Sequence, residues 1–417
     1  MSKIEELIEK LCPDGVEYKP IWEMTAWDKK FNSVDRCKQS KIIDYHYFLA
    51  GDLKSLIKKD GKVKILTTNI SDLYTYENLV EEYVSEGEIV CIPWGGNPVV
   101  QYYKGKFITA DNRIATSLDT NVLNNKFLYY CLLNKLQEIS TFYRGSGIKH
   151  PDMSKVLDLH IPIPPLEIQS EIVKILDNFT ELSAELSAEL TARKKQYNFY
   201  RDKLLTFEEP KVEWKKLGDV ASVVRGVRVV KNDLTLDDKY PVYQNSLSPL
   251  GYFNKFNRQG NSPFIISAGA AGEIGFSEIE FWAADDCFCF EKLNMLNSKY
   301  LYYVLMSNQI LLKSKVRKAS IPRLSREEVE NLVIPIPQLD VQQRIVEVLD
   351  NFDKICSDLG IGLPAEIEKR QQQYEYYREK LLTFDNKSAT ILTDRQTDRQ
   401  TDRQTDRQTD RQTDRQT

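Results

Sequence analysis

Two stretches of the chain carry apolar residues in alternating steps of four and three. This spacing lines one helix face and, when sustained, builds a coiled-coil seam. The first stretch holds Ile168, Ile172, Ile175, Phe179, Leu182 and Leu186, and resumes with Tyr197, Tyr200 and Leu204. The second holds Val341, Ile345, Val348, Phe352, Ile355 and Leu359. Each follows prolines, Pro162, Pro164 and Pro165 or Pro335 and Pro337, which block helix upstream. The run Gly360-Ile361-Gly362-Leu363-Pro364 predicts a break in the second helix. The first instead carries TELSAELSAEL at 180–190, a four-residue unit that locally unwinds a coiled coil.

The chain repeats itself. IPIPPLEIQSEIVKILDNF at 161–179 returns as IPIPQLDVQQRIVEVLDNF at 334–352, and QYNFYRDKLLTF at 196–207 as QYEYYREKLLTF at 373–384. Upstream, NNKFLYY at Asn124 answers NSKYLYY at Asn297, an offset of 173. Gly147-Ile148 and Ser320-Ile321 fall in step, and GVEYKPI after Asp14 resembles KVEWKKL after Pro210. Four separated blocks in one order mean a tandem duplication, each half a variable region followed by a long helix. The variable regions, roughly 15–150 and 210–325, read as mixed α/β. Short β-like runs (GEIVCIPW, PFIISAG) alternate with glycine turns, and a helix follows near 126–140 and 299–313.

A chain of 417 residues with 41% apolar content supports two or three folded domains. It has no apolar run long enough to span a bilayer, and its charged amphipathic N-terminus lacks a signal-peptide stretch, so a cytoplasmic location is expected. Seven cysteines without a CxxC read as buried free thiols, with Cys287 and Cys289 the close pair. The net charge of −4 does not announce a nucleic-acid binder, but binding depends on where the basic residues sit.

Catalytic signatures are missing from the sequence. There is no GxxxxGK[ST] phosphate loop and no GxSxG elbow, and His46, His150 and His160 have no metal-ligand spacing. Gly269-Ala270-Ala271-Gly272-Glu273-Ile274-Gly275 spaces its glycines unlike a dinucleotide fingerprint and reads as a turn. Asn97-Pro98-Val99-Val100 does not match the Asp/Asn/Ser-Pro-Pro-aromatic motif of an adenine methyltransferase.

From Thr393 the sequence is TDRQ six times over, then Thr417, with no apolar residue to support folding. Its codons can be written as repeats of ACAG, which give the same amino-acid cycle in every frame. That points to a slippage-prone tract and phase variation; an ordinary disordered tail is the alternative.

These features resemble the specificity subunits of type I restriction-modification systems. The resemblance rests on CPDGVEYKPI near the N-terminus, IPIPPLEIQSEIV and its second copy, LPAEIEKRQQQYEYYREKLLTF and GAAGEIG, and covers residues 1 to about 386. The SAEL run looks like the short repeats some members carry in the central helix. The fold class implied is α+β: two mixed α/β target-recognition domains joined by two long antiparallel coiled-coil helices, duplicated with pseudo-twofold symmetry, and a disordered repeat tail. The expected boundaries are 1–150 and 210–325 for the recognition domains, 151–209 and 326–386 for the helical spacers, and 387–417 for the tail.

The resemblance also implies a function without catalysis. Such a subunit binds a bipartite motif in double-stranded DNA, one half-site per domain, and docks two methyltransferase and two restriction (translocase-nuclease) subunits. S-adenosylmethionine, ATP and Mg are then expected on those partners, with no cofactor or metal on this chain and no membrane partner. A coiled-coil interaction scaffold without DNA readout is the competing reading.

Candidate contacts follow. Lys313, Lys315, Arg317, Lys318, Arg323 and Arg326 lie in a stretch without acidic residues, which suits phosphate contact; a solvated helix face is the alternative. Arg144, Lys149 and His150 hold the equivalent place in the first half, where Gly145-Ser146-Gly147 either lets the backbone approach DNA or is a plain turn. Gly95-Gly96-Asn97 and the 269–272 loop are structural turns or present neighbours to the major groove. Arg225, Arg228, Lys231, Asn245, Asn257, Arg258 and Gln259 have side chains that pair with guanine or adenine edges. Tyr197, Tyr200, Arg201, Tyr374, Tyr376, Tyr377 and Arg378 are candidates for partner docking or for helix packing.

Overall fold

The computed structural model describes residues 3–208, 212–235, 238–357 and 360–385. Leu359 of the expected second seam and the TDRQ repeats lie outside the described residues. The chain divides into two units, Met1–Ser183 with Lys369–Thr417, and Ala184–Glu368. The expected spacers at 151–209 and 326–386 each contribute residues to both units.

In the first unit, six strands order as Thr25–Trp27, Asn112–Ser117, Ser85–Pro93, Gln101–Thr109, Val63–Leu66 and Tyr74–Thr75. All neighbours are antiparallel except Val63–Leu66 against Gln101–Thr109. In the second unit, four strands order as Ser222–Arg225, Cys287–Glu291, Ser262–Ile266 and Ile274–Ser277, all antiparallel. These four reproduce the first four of the other unit, strand for strand. A second sheet, Gly251–Phe253, Tyr240–Tyr243 and Trp282–Ala283, completes this unit.

Each unit closes its chain ends with the same antiparallel ribbon. Tyr18–Pro20 pairs with His160–Pro162, and Glu213–Lys216 pairs with Val333–Ile336. These strands are the GVEYKPI and KVEWKKL blocks meeting the two proline clusters. A helix pair lies after each main sheet, Asn125–Asn134 with Leu136–Thr141 and Ser298–Ser307 with Gln309–Ser314. Asn124 and Asn297 cap these helices, their side-chain oxygens accepting two backbone N–H groups each.

The first long helix runs unbroken over Leu166–Leu204, about 58 Å at ~1.5 Å per residue. The second is interrupted as the glycines and proline dictate, giving Leu339–Ser357 and Leu363–Leu381. The apolar stripe does less helix pairing than its heptads suggest. Ile168, Ile172 and Leu176 are fully buried in the first unit's core beside Phe127, Leu128 and Tyr130. Ile345 and Leu349 are likewise buried in the second unit's core, while Val348 and Ile355 are left exposed. The start of each helix thus packs on its own sheet-and-helix layer, where burial removes its apolar face from water.

Further along, helix meets helix within each unit. In the first, Phe179 stacks on Tyr377, ring centroids 5.5 Å apart. In the second, Phe352 stacks on Tyr200 at 5.6 Å. Phe179 matches Phe352 in the repeat and Tyr200 matches Tyr377. Each unit therefore joins the beginning of one copy's helix to the end of the other's.

Six of the seven cysteines are buried free thiols, as expected, and Cys37 is exposed. Among the described residues no helix is long and apolar enough to cross a membrane, and no cluster of His, Cys, Asp and Glu could hold a metal ion.

Candidate nucleic-acid interface

The two units build the same surface device, a hairpin loop braced by a tongue. In the first, strands Ser85–Pro93 and Gln101–Thr109 are joined by a loop holding Trp94, Gly95, Gly96 and Asn97. The tongue, 145–149, is closed at its base where Tyr143 and Arg144 pair with Pro151 and His150. Loop and tongue are tied together. Gly96 donates its backbone N–H to Lys149 O at 3.1 Å, His150 Nδ1 lies 2.7 Å from Trp94 O, and Tyr143 Oη donates to Pro93 O at 2.8 Å. Gly96 has φ +102°, open to glycine at little cost, and a Cβ at Gly95 would lie 2.8 Å from Ile148 Cγ2. Both glycines thus serve the turn and its close packing, and Asn97 is exposed at its tip.

In the second unit, the turn at 269–272 joins Ser262–Ile266 to Ile274–Ser277 with φ +85° at both Gly269 and Gly272. The tongue here is 318–322, closed by Arg317 pairing with Arg323. Leu324 donates its backbone N–H to Ser267 O at 2.9 Å and Gly269 donates to Pro322 O at 3.2 Å. Asn245 is exposed next to this turn, its backbone carbonyl accepting from Ala270 N–H at 2.9 Å. The turn reading of the glycine motif holds.

Geometry sorts the basic candidates that sequence could only collect. Arg144, Lys149, Arg317, Lys318 and Arg323 are exposed and form no ion pair among the described residues. Lys313 instead meets Glu273 at 2.6 Å, Lys315 meets Glu328 at 3.7 Å, and Arg326 meets Glu330 at 2.7 Å. The stretch has no acid in sequence, yet the turn and the following helix bring carboxylates to it. Its first two lysines are therefore poorer phosphate contacts than the tongue.

The candidate base readers also separate. Arg258 is corrected to a structural residue, its side chain only 17% exposed and facing Glu291 at 3.5 Å. Its Nη1 donates to Asn257 O at 2.7 Å and its Nη2 to Arg225 O at 3.4 Å, so the fork that would grip guanine is occupied by the protein. Asn257 spends both ends of its amide on the backbone of Ala283 and is corrected likewise. Arg225 is exposed but donates to Asp285 O at 2.5 Å and lies 3.9 Å from Asp286. Arg228, Lys231, Asn245 and Gln259 are exposed.

Sequence reading missed a cleft of about 420 Å³ in the first unit, lined by Lys29, Lys30, Asn32, Ser33, Trp94 and Arg113 among others. Arg113 is buried with its guanidinium over the Trp94 ring at 4.4 Å and its Nη1 3.1 Å from the buried Asp28. Desolvation pushes the Asp28 carboxyl up, opposed by the Tyr47 hydroxyl bonded to it and by Arg113. This buried pair fixes Trp94, and through it His150, at the foot of the tongue. Nothing in the local sequence marks Arg113, which sits on a strand 85 residues from its partner.

The helix aromatics take the packing role left open above. Tyr197 lies against the second unit's core, Tyr374 against the first's, and Tyr200 and Tyr377 form the stacks already described. Arg378 covers the Tyr374 ring at 5.2 Å and bonds Asn134, and Arg201 covers Tyr197 at 5.8 Å. The aromatic residues these helices leave most open are Phe199 and Tyr376, each 60% exposed and 177 residues apart in the repeat.

The same module, with an exposed basic tongue, thus occurs twice in the chain. The chain belongs to the family of type I restriction-modification DNA specificity proteins: the type I restriction modification DNA specificity domain matches it twice, over residues 51–193 and 210–369. It is 31% identical over 418 residues to the EcoR124I/EcoR124II specificity subunit of Escherichia coli, covering 92% of this chain and 97% of that one. It is equally 31% identical to a putative type I specificity subunit of Haemophilus influenzae, covering 92% of this chain and 100% of that one. The fold is that of the type I S subunit from M. genitalium, with a TM-score of 0.63 over 88% of this chain and 96% of that one at 18% identity.

Proposed function

We propose that this chain is the DNA-specificity subunit of a type I restriction-modification complex, each unit reading one half of a split sequence. A coiled-coil scaffold without DNA readout is not favoured, since the family is one of DNA-specificity components. The observation that carries the residue-level reading is the tongue, present in both copies and bearing unpaired cations, Arg144 and Lys149 in one and Arg317, Lys318 and Arg323 in the other. Those cations suit phosphates, which position a protein on the duplex without reading it. Asn245, Gln259, Arg228 and Lys231 in the second unit, and Asn97 in the first, are the exposed groups suited to base edges.

Catalysis falls to partners in this reading. Two adenine methyltransferase subunits and two ATP-dependent translocase-nuclease subunits would dock on the chain. They would use S-adenosylmethionine, ATP and Mg, and the chain's own residues would bind and orient DNA. Kinship supports this, and one solved structure of similar fold (TM-score 0.51) is described in terms of complex assembly of the type I system. Phe199 and Tyr376 are the aromatic residues best placed for such docking.

The test is co-expression of the chain with its methyltransferase subunit in a methylation-free host, followed by genome-wide mapping of N6-methyladenine. One split motif methylated on both strands is expected. Absence of methylation, with both proteins folded and associated, would overturn the reading.

A further inference from the structure

We infer that Ile148 and Ile321, exposed at equivalent places on the two tongues, are apolar base-contacting residues that enter a groove of the DNA. The inference rests on the DNA-reading function proposed above and goes beyond charge and hydrogen bonding. The tongue sequences, Gly145-Ser146-Gly147-Ile148-Lys149 and Lys318-Ala319-Ser320-Ile321-Pro322, share just the isoleucine, at an offset of 173. Ile148 is 70% exposed and Ile321 is 52% exposed. One isoleucine in water is ordinary on any protein surface. Two, at the same place in two otherwise different loops, each closed at its base by backbone pairing, are a feature of the module.

Their surroundings indicate the partner. Arg144, Lys149 and His150 flank the first isoleucine, and Arg317, Lys318 and Arg323 the second, with no ion pair on the arginines and lysines among the described residues. Duplex DNA complements cations around an apolar point, with phosphates along the rims and apolar groups on the floor, either a thymine methyl or the face of an opened base step. Isoleucine suits the task because its β-branch restricts χ1, so little side-chain freedom is lost on insertion. In the first tongue the side chain is further steadied by Gly95, whose missing Cβ leaves Ile148 Cγ2 its place.

The experiment uses the full chain with its methyltransferase subunit, wild type and with Ile148→Ala, Ile321→Ala, Ile148→Val, Ile321→Val and Lys149→Ala. Binding to the mapped motif is followed against salt, and motifs are mapped again for each variant. Each alanine variant should bind roughly tenfold more weakly and relax positions in one half-site, a different half for each isoleucine. The salt dependence should be unchanged, and the valine variants should stay near wild type. Lys149→Ala should instead lower the salt slope by about one and weaken all sequences alike. Replacing thymines by deoxyuridine, or placing 2-aminopurine at each step, distinguishes a methyl contact from an opened step. Alanine variants that bind and methylate as wild type would overturn the inference while leaving the function standing. A wild-type complex without any methylated motif would overturn both.

Discussion

The side-chain oxygen of Gln169 accepts the backbone N–H of Asn124 at 2.8 Å, and its amide donates to the carbonyls of Val122 and Pro164 at 2.8 Å each. Gln342 repeats this with Asn297 at 2.7 Å, Met295 at 2.9 Å and Pro337 at 2.8 Å. A buried glutamine thus fastens the first turn of each long helix to the cap of the domain helix beside it. Replacing Gln169 or Gln342 with leucine removes the partner from three backbone groups. The affected unit should lose about 2–4 kcal/mol, read by denaturant melting; a loss below about 0.5 kcal/mol would contradict the fastening role.

The aromatic stacks predict a local effect. Tyr377→Ala removes the ring facing Phe179 and should raise amide hydrogen exchange across 369–381, with a cost of about 1–2 kcal/mol. Exchange in the second unit, where Phe352 and Tyr200 make the equivalent stack, should not change. Tyr200→Ala should show the reverse pattern.

Charge pairing separates cations that look alike in sequence. Alanine at Arg317, Lys318 or Arg323 should each lower the salt slope of DNA binding by about one. Alanine at Lys313 should lower it less, because Glu273 at 2.6 Å already offsets that charge. Equal slopes for Lys313 and Arg317 variants would refute the distinction.

The SAEL units lie inside an unbroken helix. One added unit lengthens it by ~6 Å and rotates it by roughly 40°, against ~3.4 Å and about 36° per base pair of DNA. Insertion or deletion of one unit should therefore change the unread spacer by one or two base pairs and leave both half-sites as they were. Methylation mapping of the variant reads this directly.

Arg113 offers a stability prediction within the first unit. Arg113→Met leaves Asp28 buried without its cation at 3.1 Å and should cost about 3–5 kcal/mol. Because the guanidinium also supports Trp94, the variant should weaken reading of one half-site more than the other.

The sequence by itself determined the duplication, the order of elements and their punctuation. Proline clusters start the long helices, Gly360 to Pro364 break the second, asparagine caps start the domain helices, and glycines set the turns at 95–96 and 269–272. These follow from local sterics and backbone hydrogen bonding, which neighbouring residues control. Periodicity located the apolar stripes but did not say what covers them. Ile168 and Ile172 fit a seam and a domain core equally well, and only the fold placed them in the core. Tertiary structure alone decided which cations are free, since Glu273 and Glu328 reach Lys313 and Lys315 from elsewhere in the fold. It likewise turned Arg258 and Asn257 inward and buried Arg113 against Asp28. Electrostatic and hydrogen-bond partners act through space over a few ångströms, and sequence spacing carries no record of which distant residues the fold brings within that range.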